Sequence, residues 1–207
     1  MDKQLRYAIA LTGSIGSGKS TFVSLLSLYG YQSICADSIA HKVLEEHSAE
    51  VIAYFGNEIL QSDNTINRKV LGNIIFASSS KREELQAILH PHIQKAILTQ
   101  AQQLEEKKVW YFIDIPLFFE VGGKEAYPVA RSLVIYTPKA KAIERIMKRN
   151  NFTFEEAKAR IDAQMPIENK CRLADDIINN EGDLRTLQHN AESYIQSLPC
   201  VDCVQSS

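Results

Sequence analysis

The chain has 207 residues, of which 45% are apolar and 23% charged, with a net charge of −2. That size bounds it to one domain, or one core carrying an inserted subdomain. The charge balance excludes a protein held on nucleic acid by a general positive field. No apolar run reaches the roughly 18–20 residues that span a bilayer. The opening MDKQLRYAIALTG carries no small-residue cleavage site, so the expectation is a cytoplasmic protein without membrane partners.

Tyr7–Leu11 is a compact apolar run and reads as a central strand. Phe22, Leu25, Leu26 and Tyr29 then recur at helical spacing, and Gly30 follows as a stop. Tyr31–Ala36 reads as a second strand, with Asp37 at its end. A helix-rich stretch runs from about Ser38 to Lys108, with helices predicted over Ser38–Glu46, near Ala49–Phe55, and from Lys81. Pro91 should break or kink the last of these at His90–Pro91. Val109–Ile113 is a buried strand ending at Asp114, and Leu133–Tyr136 is a fourth. Lys139–Arg149 is helical, and Thr153 with Glu156 forms a capping box for the next helix. Asp176–Ile178 is a fifth strand, and Asp183 caps a final helix to Leu198. Strands alternating with amphipathic segments make an α/β fold with a parallel sheet.

The chemistry concentrates in Gly13, Ser14, Ile15, Gly16, Ser17, Gly18, Lys19 and Ser20, which match GxxxxGK[ST] between a strand and a helix. Glycines free the backbone so that successive N–H groups form a nest for phosphate oxygens. The helix N-terminus adds positive potential, Lys19 reaches the β and γ phosphates, and Ser20 offers a hydroxyl to Mg²⁺. Thr21 closes the loop. In an open α/β sheet, ligands bind at the carboxyl ends of strands. Asp37 and Asp114 both fall there: Asp37 as a proton acceptor or metal ligand, Asp114 as a Mg²⁺ ligand through water. The alternative for each is a turn or cap aspartate.

Lys141, Arg145, Lys148, Arg149, Lys158, Arg160, Lys170 and Arg172 make residues 139–172 rich in cations. Such a run usually marks a solvated helix face. Phosphoryl transfer also needs positive charge over the migrating group. Arg145 and Arg149 share one face and are the lid candidates, ahead of Arg160. His90-Pro91-His92 suggests a metal only weakly, because histidines two apart do not face one way on a helix and no carboxylate cluster accompanies them. The proline break is the simpler reading, with His90 as a substrate contact. Cys200 and Cys203 read as incidental thiols rather than a zinc site.

Several blocks in order make the chain similar to the dephospho-CoA kinase family. They are Ala10–Thr21, ADSIA at Ala36–Ala40, Phe55-Gly56, Asn67-Arg68, IFA at Ile75–Ala77, LHP at Leu89–Pro91, IPLFFE at Ile115–Glu120, the Arg160–Met165 block, and ADDIINN at Ala174–Asn180. The resemblance covers about residues 6–198. It implies a P-loop, three-layer α/β fold with a five-stranded parallel sheet, an inserted helical substrate subdomain and a helical lid. The implied division is a core of 6–57, 109–138 and 173–203, an insertion of about 58–108, and a lid of about 139–172. The implied reaction moves the γ-phosphoryl of ATP, with Mg²⁺, to the ribose 3′-hydroxyl of dephospho-CoA. The family's base falls on Asp37 and its lid arginine in the Arg145–Arg149 helix. Arg68 and His90 fall on the coenzyme side. The chain departs from the family pattern at Cys35, where an acid is common, at His41, where arginine is common, and at Asn67, where aspartate is common. Rival readings are another P-loop kinase for a nucleotide or polyol, a GTP-dependent switch, and a non-catalytic ATP-binding protein. The switch is weakened because Asn169-Lys170-Cys171-Arg172 puts arginine where guanine recognition needs an acid.

Overall fold

The computed structural model describes residues 4–200. In chain order the elements are β1 (Leu5–Gly13), α1 (Lys19–Leu28), β2 (Ser33–Cys35), α2 (Ala36–Glu46), α3 (Ser48–Phe55), a short 3₁₀ turn (Asn57–Ile59), α4 (Arg68–Ala77) and α5 (Ser79–Glu105). They continue with β3 (Tyr111–Asp114), α6 (Gly123–Ala126), β4 (Val129–Tyr136), α7 (Lys139–Asn150), α8 (Phe154–Asp162), α9 (Ile167–Leu173), β5 (Asp176–Asn179) and α10 (Leu184–Ser197). Two compact units result: one of residues up to Cys35 with those from Gln100 onward, the other of Ala36–Thr99.

The first unit holds an all-parallel, five-stranded sheet in the order β2-β3-β1-β4-β5. Central β1 is apolar and buried at nearly every position, as a strand covered on both faces must be. Ile9, Leu11, Phe112, Leu133, Ile135 and Ile178 point to one face and pack under Phe22, Leu25 and Leu26 of α1 and Leu187 and Ala191 of α10. On the other face Tyr111 Oη donates to the Ala101 carbonyl, 3.2 Å away, near the end of α5. Burial of the α1 trio agrees with the helical spacing. Tyr29 instead caps the helix, where Gly30 N–H donates to Ser27 O and Tyr31 N–H to Leu26 O. That paired closure satisfies carbonyls the helix end would orphan.

The structure corrects several boundaries. β2 is only Ser33–Cys35, so Asp37 sits in the first turn of α2 rather than on a strand end, where its charge suits the helix dipole. β3 begins at Tyr111, because Val109 is exposed and Trp110 Nε1 donates to Pro199 O. β4 begins four residues before the expected Leu133. Arg131 hid that start. Its guanidinium grips Asp176 in a bidentate pair at 2.6 and 2.7 Å, so a charge lies inside the sheet with its partner. Residues 167–173, expected only as part of a cationic segment, form α9.

The capping box of α8 is present: Thr153 Oγ1 accepts from Glu156 N, and Thr153 N–H donates to the Glu156 carboxylate. Asp183 likewise caps α10 by accepting from Thr186 N at 2.8 Å. In the second unit α5 does not break at Pro91 but runs through it as one helix. Proline removes one backbone bond, at roughly 3 kcal/mol in a helix interior. Burial of Leu85, Leu89 and Ile97 on both sides of it offsets that loss.

Asp175 ties β4 to the segment entering β5. Its carboxylate accepts from Ser132 N–H and Ser132 Oγ, both at 2.7 Å, and pairs with Lys124 at 2.8 Å. Burial pushes its pKa up, but the Lys124 and Ser132 bonds outweigh that and hold it below the usual carboxylate range. A depressed folded-state pKa stabilises above the unfolded value, near 3.9, and that contribution fades as pH falls through the folded value. Asp175→Asn should therefore lower Tm at pH 7, with the gap from the parent closing toward pH 3. Thermal unfolding monitored by circular dichroism across that range measures it.

Candidate active site

The loop after β1 wraps tightly because its neighbours leave no room for side chains. Gly16 and Gly18 have φ of +81° and +88°, a left-handed backbone that residues with a Cβ rarely adopt. A Cβ on Gly18 would stand 2.1 Å from Asn180 Nδ2. Asn180 is buried and donates to Ser17 O at 2.7 Å, so it cannot retreat without breaking the loop's outer support. Gly18→Ala is expected to leave the chain folded but weaken ATP binding by about 10-fold or more, as a distorted nest loses aligned donors. Nucleotide titration by calorimetry, alongside a circular dichroism spectrum, checks both halves.

Further struts fix the loop. Gln164 Oε1 accepts from Ile15 N–H at 2.9 Å, and Ser17 N–H closes a turn to Ser14 O. Thr137 Oγ1 lies 3.1 Å from both Ser17 O and Asn180 O. Ser17 Oγ is buried without a hydrogen-bond partner. Ser20 and Thr21, by contrast, are exposed at the start of α1.

Lys19 forms an ion pair with Asp114, whose side chain is only 12% exposed at the carboxyl end of β3. Register explains the meeting: Leu11 pairs with Asp114, and the loop leaves β1 two residues later. Cys35 is also paired with Asp114, so β2 ends at the same sheet edge. Asp37, two residues further, is exposed in the first turn of α2.

The two lid candidates differ. Arg145 is partly buried and clamps the loop wall, donating to Thr137 Oγ1 at 3.1 Å and Asn180 O at 3.0 Å. Arg149 is exposed in the last turn of α7 and donates to the adjacent Asn150. Arg160 lies over the Phe152 ring at 4.0 Å, a cation–π contact. Ala142, Ile143 and Ile146 of α7 pack on Ala157 and Ile161 of α8, with Ile15 of the loop against the cluster. A cleft of about 210 Å³ opens beside the loop, between Ser14 and the α8–α9 segment.

Lys170 escaped the sequence reading, which left it in the cationic run. It is fully buried, donating to Pro116 O at 2.9 Å and pairing with Glu120 at 2.8 Å. Burial pushes its pKa down, while Glu120 opposes the shift. Glu120 also accepts from Met165 N–H, so the pair with buried Lys170 joins the IPLFFE block to the α8–α9 turn. No spacing in the sequence announces a pair 50 residues apart.

In the second unit Arg68 opens α4 and pairs with Glu45, beside a cleft of about 510 Å³ lined also by Leu44, Ser48, Gln61 and Thr65. Asn67 caps α4 by accepting from Lys69 and Val70 N–H. His90 Nε2 is buried without a hydrogen-bond partner. His92 points elsewhere: it stacks on His47, which bonds Glu50, so a carboxylate does accompany this histidine, from a distant part of the sequence. Cys200 is exposed, and Cys203 lies outside the described residues.

The family model for dephospho-CoA kinase matches residues 7–186. A Wolinella succinogenes dephospho-CoA kinase is 48% identical over 197 residues, covering 95% of this chain and 96% of the relative. A Thermus thermophilus crystal structure superposes with a TM-score of 0.80 at 30% identity, covering 93% of this chain and 98% of the other. A dephospho-CoA kinase structure from Campylobacter jejuni gives 0.72 at 39% identity, covering 92% and 96%. With a phosphate loop, its paired lysine and aspartate, and relatives matched over nearly their whole length, the chain belongs to the dephospho-CoA kinase family.

Proposed function

We propose that this chain transfers the γ-phosphoryl group of ATP to the ribose 3′-hydroxyl of dephospho-CoA, giving coenzyme A, with Asp37 as the general base. The observation that carries the reading is the braced loop with Lys19 held against Asp114 at the sheet edge where β2 ends. The loop N–H groups cradle the phosphates, and Lys19 exchanges Asp114 for the phosphates as they arrive. Asp37 takes the hydroxyl proton as the ribose oxygen bonds to the γ-phosphorus and the bond to the ADP oxygen breaks. Positioning and electrostatics supply most of the acceleration, because the reaction leaves little covalent work for the protein.

The exposed Ser20 hydroxyl and the Asp114 carboxylate are hard oxygen donors beside the loop, a set that fits Mg²⁺. When bound, Mg²⁺ neutralises phosphate charge in the transition state. Arg68, beside its cleft, and His90, with its unpartnered buried nitrogen, are the coenzyme-side contacts.

Residues 139–172 act as the lid, with unequal roles for its arginines. Arg145 is spent on the loop wall and supports nucleotide binding. Arg149 is free of tertiary bonds in the contacts described and supplies charge to the migrating phosphoryl. Arg149→Ala should lower kcat by about 10²-fold with acceptor affinity nearly unchanged. Arg145→Ala should chiefly raise the KM for ATP. Steady-state kinetics with each substrate varied separates the two patterns.

The direct test of the reaction is incubation with ATP, Mg²⁺ and dephospho-CoA, followed by mass analysis and location of the new phosphate. A 3′-phosphorylated product supports the reading. Bound ATP with no product would discard this acceptor and leave a P-loop kinase for another hydroxyl.

A further inference from the structure

The helical unit carries a group of side chains for which phosphoryl transfer has no use. His47 precedes α3, Glu50 lies in its first turn, and His92 is on α5 just after Pro91. The His47 and His92 rings stack with centroids 3.6 Å apart and planes 27° apart. His47 Nδ1 lies 3.1 Å from Glu50 Oε1. One ligand atom from each of the three residues falls within 4.8 Å of the other two. Both histidines are half-buried, and Glu50 is exposed.

We propose that His47, Glu50 and His92 form a binding site for a divalent transition-metal ion of the zinc class. Two imidazoles and one carboxylate are the donor set such ions take, and magnesium and calcium prefer oxygen alone. Nitrogens bound to one tetrahedral ion at about 2.0–2.1 Å lie about 3.4 Å from each other. The ligand atoms, within 4.8 Å of one another, reach that value by side-chain rotation. The stack brings the two imidazoles together, and ring rotation out of it turns their in-plane lone pairs toward one ion. Three protein ligands leave one position for water.

The ligands come from two helices that are some 40 residues apart in sequence. An ion there staples the start of α3 to the middle of α5, next to the proline that costs α5 a backbone bond. Binding to the folded chain alone stabilises it by mass action. The site therefore makes the stability of the helical unit respond to metal supply, independently of the transfer reaction.

The test is Zn²⁺ titration by calorimetry of tag-free full-length protein without nucleotide, with Co²⁺ absorption to report ligand type. We expect one site per chain, a Tm that rises with Zn²⁺, and affinity at least about 10-fold weaker in His47→Gln, His92→Gln and Glu50→Gln. Glu50→Gln alters an exposed side chain and decides the matter should either histidine variant fail to fold. Cys200→Ser with Cys203→Ser should bind as the parent does. Absence of a stoichiometric site overturns the proposal. So does unchanged affinity in the three variants, or loss of binding in the cysteine variant, which would place the metal on the C-terminal thiols.

Discussion

Lys19→Ala is expected to lower turnover by about 10²–10³-fold or more, the scale seen when one fixed donor to developing transition-state charge is removed. The expectation rests on where Lys19 stands. Its ammonium is paired with Asp114 at the base of the loop, in a site where the two side chains are only 14% and 12% exposed. Low exposure raises the weight of every charge there, so phosphate binding must satisfy what the ion pair now satisfies. Removing Lys19 also takes its positive charge from the nearly buried Asp114 carboxylate, which then repels the incoming phosphates more strongly. ATP affinity should therefore fall together with turnover. Lys19→Arg keeps the charge but enlarges the head group, and should recover binding better than rate. The measurement is coupled kinetics with ATP titration on both variants. Turnover within a few-fold of the parent for Lys19→Ala would remove Lys19 from the transfer step.

Asp37→Asn should behave differently. A base acts on the acceptor hydroxyl, so its loss lowers kcat by about 10²–10⁴-fold while ATP affinity stays close to the parent value. Asparagine keeps the size and most of the polarity in the first turn of α2, so the helix itself should persist. Equal losses in kcat and ATP affinity would make Asp37 a nucleotide or metal contact instead. Product analysis on the variant adds a check, since a slow variant must still place its phosphate on the same oxygen.

The legible parts of the chain were those whose signal is local. The glycine-rich GxxxxGK[ST] run calls for a backbone free of Cβ constraints, and the structure uses that freedom at Gly16 and Gly18, both left-handed. The capping box at Thr153 and the cap at Asp183 are satisfied within three residues. The apolar run of β1 is long enough to demand burial on both faces. Boundaries slipped where a distant partner changed the meaning of a residue. The fourth strand reads as beginning at Leu133 until Asp176, on the neighbouring strand, neutralises Arg131 and admits it to the sheet. Pro91 reads as a break until buried Leu85 and Leu89 before it and Ile97 after it hold the helix together.

The same division runs through the functional residues. Sequence by itself determined the α/β class, the phosphate loop, Lys19 and Ser20 within it, and the family, because these rest on short spacings and ordered blocks. Only the tertiary structure decided that Asp114 pairs with Lys19, that Arg145 braces the loop while Arg149 faces solvent, and that Lys170 is buried on Glu120. It alone joined His92 to His47 and Glu50. Each of those facts depends on residues far apart in the chain, brought together by strand register or helix packing. A charge or an imidazole carries no mark of its future partner. Its role is set by the neighbours that burial forces upon it.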